Sequence, residues 1–371
     1  KPAALYLKGS AADLQKVPAR GTHYTMICTT DRTDIFNDTP RVREVAWRQG
    51  ERDLSEISAS SVPVILRGFV EDWPAVKAAR SSLSDFFDYL HRFDRGAVVP
   101  ISAGPAALDG RLFYNDDMTG VNVDRGNATF TMFLDRVFKF GPQSPPPLIY
   151  LASTDVDEVL PGFRAENDLE FGDLDPLRSV WIGTRTRVAA HNDLPLNLAC
   201  VVAGKRRFTL FPPDQTPNLY VGPFELTPAG RPISLVDFAA PDSTRFPRFS
   251  EAVRHAQIAD LGEGDALFIP SMWWHHVEAT GQANMLVNYW WRTVPKHLGT
   301  PQDVLNHAMM TLRDLPPEEK KAWRHMFEHY VFNNDGTEVD QVPEHIQGIL
   351  GPITPEVAAS VRAFLRDRLD R

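Results

Sequence analysis

Cysteine is nearly absent from this 371-residue chain: Cys28 and Cys200 are the whole complement. Two thiols exclude a disulfide framework and fit a reducing, cytoplasmic setting. Long apolar runs are missing too. None approaches the roughly 18 residues needed to span a bilayer, so no membrane segment is expected. The first residues, Lys1 to Lys8, contain no signal-type apolar region. No Lys/Arg block stands out and the net charge is −9, so the footprint of a general nucleic-acid binder is lacking. There is no internal repeat and no low-complexity segment. What the chain has in quantity is turn residues, 30 prolines and 23 glycines, which point to many short β-elements. Hydrophobic content of 43% and charged content of 23% describe an ordinary globular protein, long enough for one large domain or two modest ones.

Residues 1–45 read as an extended or partly helical arm, with short apolar pieces such as Tyr24-Thr25-Met26-Ile27. Residues 62–68 read as a strand ending in a turn, followed by a short helix from Trp73-Pro74. Leu83, Phe86, Phe87 and Leu90 have helical spacing behind Ser82, a natural N-cap. Residues 97–101 and 112–114 are short strand candidates, 131–138 a second helix, and 148–151 a strand. From about 177 to 294 many short strands alternate with Gly/Pro/Asp turns, clearest at 180–183, 196–202, 206–211, 266–269 and 285–291. This pattern suits a sandwich or barrel. Beyond Pro295 the texture becomes helical. Apolar residues recur at helical spacing in 301–312 and 317–331, and Thr354-Pro355 caps a last helix. The expected organisation is an N-terminal arm over 1–60, a β-rich body with helical support over 61–295, and a helical segment over 296–371.

Chemistry concentrates in two places. His191-Asn192-Asp193 on a strand would aim an imidazole and a carboxylate to one face, because strand side chains alternate with period two. A second imidazole from a distant strand would complete a 2-His-1-carboxylate triad, which holds a divalent metal and leaves other positions open. Alone, the H-x-D pair could equally be a surface turn. The second place is Gly264-Asp265-Ala266-Leu267-Phe268-Ile269-Pro270, leading into Trp273-Trp274-His275-His276-Val277-Glu278. One histidine of that pair must face inward and its neighbour outward, and periodicity does not say which. In 205–210 parity puts Lys205, Arg207 and Thr209 on a solvent-like face and Arg206, Phe208 and Leu210 on an interior-like face. A guanidinium among apolar residues needs an anionic partner, either an internal Asp or Glu or a bound carboxylate.

These stretches together resemble the JmjC/cupin-like 2-oxoglutarate oxygenases, the group that includes the asparaginyl hydroxylase inhibiting hypoxia-inducible factor and its bacterial relatives. The second metal motif matches at 264–278. The first metal motif and its following hairpin are similar at His191-Asn192-Asp193, Asn197 and 204–215. An inter-motif loop is similar at 236–249, a closing strand at Asn288-Tyr289-Trp290, and the start of the domain at 63–73. The motifs stand in family order over roughly 60–330. The resemblance implies a double-stranded β-helix, mainly β with flanking helices, plus a C-terminal helical segment. It implies Fe(II) held by His191, Asp193 and His275, with His276 facing away. It implies 2-oxoglutarate as cosubstrate, its far carboxylate taken by Arg206, where the family usually has lysine. Tyr150, Asn197 and Asn288 match positions that bond the cosubstrate or line its pocket, and each could equally be a satisfied core group. One departure is Val188, where the close relative has a threonine; Thr186 is the nearest substitute on the same face. Trp290 is expected near the metal, and Trp273 and Trp274 in the core.

The implied activity is hydroxylation of a C–H bond in a protein side chain, peptide or small molecule. Demethylation remains compatible with the triad, and Asp193 argues against halogenation. Two other readings stay open: a cupin metalloenzyme that does not use 2-oxoglutarate, and a non-catalytic binding module stabilised by metal. Relatives dimerise through C-terminal helices. The apolar Leu312, Trp323, Phe327, Tyr330, Val361 and Leu365 therefore suggest a homodimer.

Overall fold

The computed structural model describes residues 35–47 and 54–369. The arm reading for 1–34, including Tyr24 to Ile27, lies outside the described residues. Those described form a unit ending at Trp291 and a second unit from Arg292 onward.

Two β-sheets make the first unit. The larger has nine strands in the spatial order β1 (Arg43–Ala46), β2 (Val64–Arg67), β12 (Ala266–Ile269), β9 (Leu196–Ala203), β14 (Asn284–Trp291), β7 (Leu177–Gly183), β6 (Leu148–Asp155), β3 (Val98–Gly104) and β5 (Asp124–Thr129). The smaller has five, in the order β11 (Gln257–Leu261), β10 (Arg206–Phe211), β13 (Trp274–Ala279), β8 (Thr186–Asn192) and β4 (Arg111–Leu112). Neighbours are mostly far apart in sequence, which is how a jelly roll crosses between sheets. Most pairs are antiparallel; β1 with β2 and β4 with β8 are parallel. The expected fold, mainly β with flanking helices, is the one observed.

The core lies in layers. One face of the nine-stranded sheet packs on the helices Pro74–Ser81, Leu83–His91 and Phe130–Phe140 through Phe86, Phe87, Phe133, Leu134 and Val137. Spacing of i, i+3, i+4 and i+7 puts Phe130, Phe133, Leu134 and Val137 on one stripe. Thr129 and Ser82 cap the last two of these helices, accepting from Met132 N–H at 3.3 Å and Asp85 N–H at 3.0 Å. The inner faces of both sheets enclose a second cluster that includes Val188, Ala199, Phe208, Leu210 and Leu286. The outer face of the small sheet is covered by residues 212–256, whose Val236, Phe238, Phe246 and Phe249 pack on Ala190, Phe211 and Trp274.

That cover corrects one expectation. Thr209 does point away from the interior, yet it is 2% exposed, because Phe238 and its neighbours lie over that face. Only the strand's first turn escapes: Arg207 is half-buried and pairs with Asp260 at 2.7 Å. The 112–114 strand candidate is also shorter than expected. Pairing ends at Leu112, and Tyr114 forms an isolated bridge to Val121.

The turn before β10 requires glycine. Gly204 has φ +76°, and a Cβ there would collide with Asn284 Oδ1 and stand 2.5 Å from the Ala283 carbonyl oxygen. Gly204→Ala is expected to destabilise the protein by about 1–3 kcal/mol, read as a lowered thermal midpoint. An unchanged midpoint would show that this turn does not set the strand.

In the second unit, helices Pro301–Leu312 and Pro317–Phe327 are joined by a short turn, and three short 3₁₀ turns precede the last helix, Pro355–Leu369. The middle helix stops at Phe327 and continues as a π turn to Phe332, short of one continuous helix over 317–331. Thr354 caps the last helix, accepting from Val357 N–H at 3.3 Å. No described helix is long and apolar enough to cross a membrane.

Candidate metal centre

Strand pairing builds the centre. β8 and β13 are antiparallel neighbours in which His191 stands directly opposite His275. Their rings sit 4.4 Å apart, centroid to centroid, and both are buried. Each ring is fixed from behind. His191 Nδ1 lies 2.9 Å from the Ala189 carbonyl and His275 Nδ1 lies 3.0 Å from that of Trp273. A carbonyl only accepts, so Nδ1–H donates in both and each Nε2 keeps its lone pair. Burial and the neighbouring His191 push the pKa of His275 down to about 4, with Asp193 opposing. His275 is therefore neutral at pH 7, the form in which imidazole binds a metal.

Asp193 is not on the strand. β8 ends at Asn192, so strand alternation alone does not aim the carboxylate. A stitched pair of turns does. Met272 N–H donates to the Asp193 carbonyl at 2.8 Å, and Ser271 Oγ donates to the Leu194 carbonyl at 2.6 Å. The turn after β8 is thereby tied to the turn before β13. Asp193 Oδ2 comes within 3.6 Å of His275 Nε2, and ligand atoms of His191, Asp193 and His275 lie within 4.8 Å of one another. Two oriented imidazoles and one carboxylate on a single point are a donor set that fits a divalent first-row metal.

His276 turns its back on this point. Its ring packs on Phe238 at 4.6 Å, and its Nε2 is 3.7 Å from Glu278.

A narrow cavity of about 60 Å³ opens from the three groups. The large sheet lends it Tyr150, Trp181, Asn197, Asn288 and Trp290; the small sheet lends Val188, Arg206, Phe208 and Val277. Arg206 is 3% exposed, and its Nε and Nη2 have no hydrogen-bond partner. No internal Asp or Glu pairs with it among the described residues. Burial lowers its pKa from the usual arginine value. Burial also pushes the Tyr150 phenol up to about 12, with Arg206 pulling the other way. Asn288 accepts from Trp181 Nε1 at 2.8 Å and donates to Asn197 at 3.4 Å, so these amides form one chain along the wall.

Of the residues expected to hold the metal or the cosubstrate, Thr186 alone stays outside the cavity: it is buried at the far end of β8, opposite Ala279. Trp290 lines the cavity as expected. Trp273 and Trp274 are core, donating to the Ser61 carbonyl and to Thr216. Sequence reading missed the cavity roles of Trp181, Val277 and Ala229. Strand parity could have found the first two; Ala229 sits in a loop and carries no local signal.

Two facing sheets around a buried His-Asp-His group define a jelly-roll protein of the JmjC kind. The chain belongs to the cupin-like domain family, whose profile matches residues 51–297. It is 33% identical to human HSPB1-associated protein 1 over 301 residues, 74% of this chain and 57% of the relative. It is 25% identical to lysine-specific demethylase 8 of Xenopus tropicalis over 235 residues, 62% of this chain and 48% of that protein. It is 32% identical to lysine-specific demethylase JMJ31 of Arabidopsis thaliana over 124 residues, 32% of this chain and 22% of the relative. The chain spans about half the length of the HSPB1-associated and demethylase 8 relatives it matches.

Proposed function

We propose that this chain is an Fe(II)- and 2-oxoglutarate-dependent oxygenase that hydroxylates a C–H bond. The observation that carries the reading is the pairing, in one cavity, of the His191-Asp193-His275 group with a buried guanidinium lacking any partner. When bound, iron(II) and 2-oxoglutarate supply oxygen activation coupled to oxidative decarboxylation and to oxidation of the substrate carbon. Asp193 offsets part of the metal's charge, and the two histidines hold it without adding any. Arg206 takes the far carboxylate of the 2-oxo acid in a charge-assisted pair. Tyr150, Asn197 and Asn288 orient that acid, and Trp181, Phe208 and Trp290 keep bulk water from the reacting atoms. The decisive measurement is 2-oxoglutarate binding by the Mn(II)-loaded protein under nitrogen, followed by succinate formation with Fe(II) in air. A protein that binds Mn(II) but no 2-oxoglutarate refutes the reading and leaves a cupin metalloenzyme of another kind.

A protein or peptide substrate is the preferred class, since one relative is named for its association with a protein. Hydroxylation is favoured over demethylation because the cavity beside the metal group is lined by Arg125 and, among the described residues, by no carboxylate that would take a lysine-like cation. We place the catalytic part in residues 61–295 and assign 296–371 to homodimer formation. Leu305, Trp323, Tyr330, Phe364 and Leu365 are exposed there, and a groove is lined by Leu305, Met309, Leu312, Trp323 and Phe327. Light scattering is expected to give a dimer at micromolar concentration, converted to monomer by Trp323→Glu. A monomeric parent protein would end that assignment. A reducing, cytoplasmic location accords with Cys200, a buried free thiol.

A further inference from the structure

A second cavity, of about 290 Å³, adjoins the first and shares Tyr150, Trp181, Val188 and Ala229 with it. Those shared walls place it beside the His191-Asp193-His275 group. Its walls are apolar, with Ile101, Leu112, Ile233 and the flanks of Tyr150 and Trp181. Among the described residues one cationic side chain lines it and no Asp or Glu does. The cation is Arg125, on β5 at the edge of the large sheet. Its Nη2 donates to the Pro228 carbonyl at 2.8 Å, which leaves its charge uncancelled, and among the described residues it has no carboxylate partner. In a chain of net charge −9, this cleft is a locally positive spot.

We propose that the cleft selects a substrate with an uncharged, apolar reacting group and a carboxylate placed to meet Arg125, and rejects lysine-like cations. The apolar walls take the reacting group by burial. The guanidinium, held in place by the Pro228 carbonyl, offers its remaining donors to an anion. A lysine or methyl-lysine side chain would find no carboxylate on the lining. The lining offers it only the Tyr150 and Trp181 rings and the neutral Ser102 and Ser153 hydroxyls, and Arg125 would oppose it. Substrate class thus departs from what the names of two relatives say of those proteins. The proposal rests on the oxygenase reading only for the identity of the reacting centre.

The test is isothermal titration of the full chain loaded with Mn(II) and 2-oxoglutarate under nitrogen, repeated with neither. The probes are blocked tetrapeptides of sequence Leu-Asp-Leu-Asp and Leu-Lys-Leu-Lys, the trimethyllysine form of the second, and 4-methylpentanoate. A carboxylate probe should bind and the lysine probes should not. Binding of the aspartyl peptide alone marks a peptide substrate, and binding of the small acid alone marks a free carboxylate. Arg125→Gln should weaken the acidic probe about two- to fivefold, the scale of an exposed ion pair, and Arg125→Glu should invert the preference. Inversion separates a charge contact from mere anchoring of the Pro228 loop, which would weaken all probes alike. Tighter binding of either lysine probe to the unaltered protein overturns the proposal, as does failure of every acidic probe or an unchanged order in Arg125→Glu. If the acidic preference persists in protein that takes up neither Mn(II) nor 2-oxoglutarate, the oxygenase reading fails and the cleft assignment stands.

Discussion

The Asp193→Ala protein is expected to fold, to lose Mn(II) affinity by more than about a hundredfold, and to form no succinate from 2-oxoglutarate; removing mere outer-shell partners of a metal already costs ten- to hundredfold. The argument is geometric. Asp193 supplies the only carboxylate among the three converging groups, and its turn is pinned by backbone bonds that alanine leaves intact. His275→Ala should behave the same way. His276→Ala should not: that ring packs behind the strand on Phe238, so its loss is expected to lower stability by about 1–3 kcal/mol and to leave metal affinity near the parent value. Calorimetry with Mn(II) and thermal unfolding, run on all three variants, separate the two effects. Metal retained in Asp193→Ala, or lost only in His276→Ala, would mean that the triad is drawn on the wrong residues.

The contrast between His275 and His276 shows where sequence stops. Alternation says that the two must point to opposite faces. Choosing between them took the resemblance, and in the structure the choice rests on the register that sets His275 against His191. Asp193 gives the opposite lesson. Its place in an H-x-D pair was legible, but the supposed cause, a shared strand face, was not the operative one. The carboxylate is aimed by turn-to-turn bonds between residues about eighty apart, which no local pattern encodes. Thr209 failed for a related reason. Parity gave its direction correctly and its burial wrongly, because the cover over that face comes from Phe238 and Phe249 in the long connection between β10 and β11. Strand β5, Asp124–Thr129, has no apolar alternation and is held by pairing with β3, so it and its Arg125 stayed invisible. The helix starting at Leu83 was among the most readable elements, because the Ser82 cap and the apolar stripe are two independent local signals that agree there.

Arg206→Met should separate stability from cosubstrate binding, and in opposite directions. In the free protein Arg206 is a buried cation with two unpartnered donors, and burial of that kind opposes the charged form. Methionine keeps most of the stem and removes the charge, so the free variant is expected to be more stable by about 1–3 kcal/mol. Binding should suffer. Losing a hydrogen-bonded pair to a charged carboxylate costs roughly 1.5–3 kcal/mol, about ten- to a hundredfold in 2-oxoglutarate affinity. Mn(II) affinity should stay unchanged, since Arg206 is not among the three converging donors. Thermal scans read both effects together: 2-oxoglutarate raises the midpoint of the Mn(II)-loaded parent protein by mass action and does so far less in the variant. Arg206→Lys should be mild, because an ammonium on a similar stem still meets the carboxylate. Arg207→Met should change little, because Arg207 lies on the other face and its half-exposed pair with Asp260 is worth at most about 1 kcal/mol. A damaging Arg207→Met beside a silent Arg206→Met would shift the strand register by one residue. Silence in both would remove 2-oxoglutarate from the reaction while leaving the metal in place.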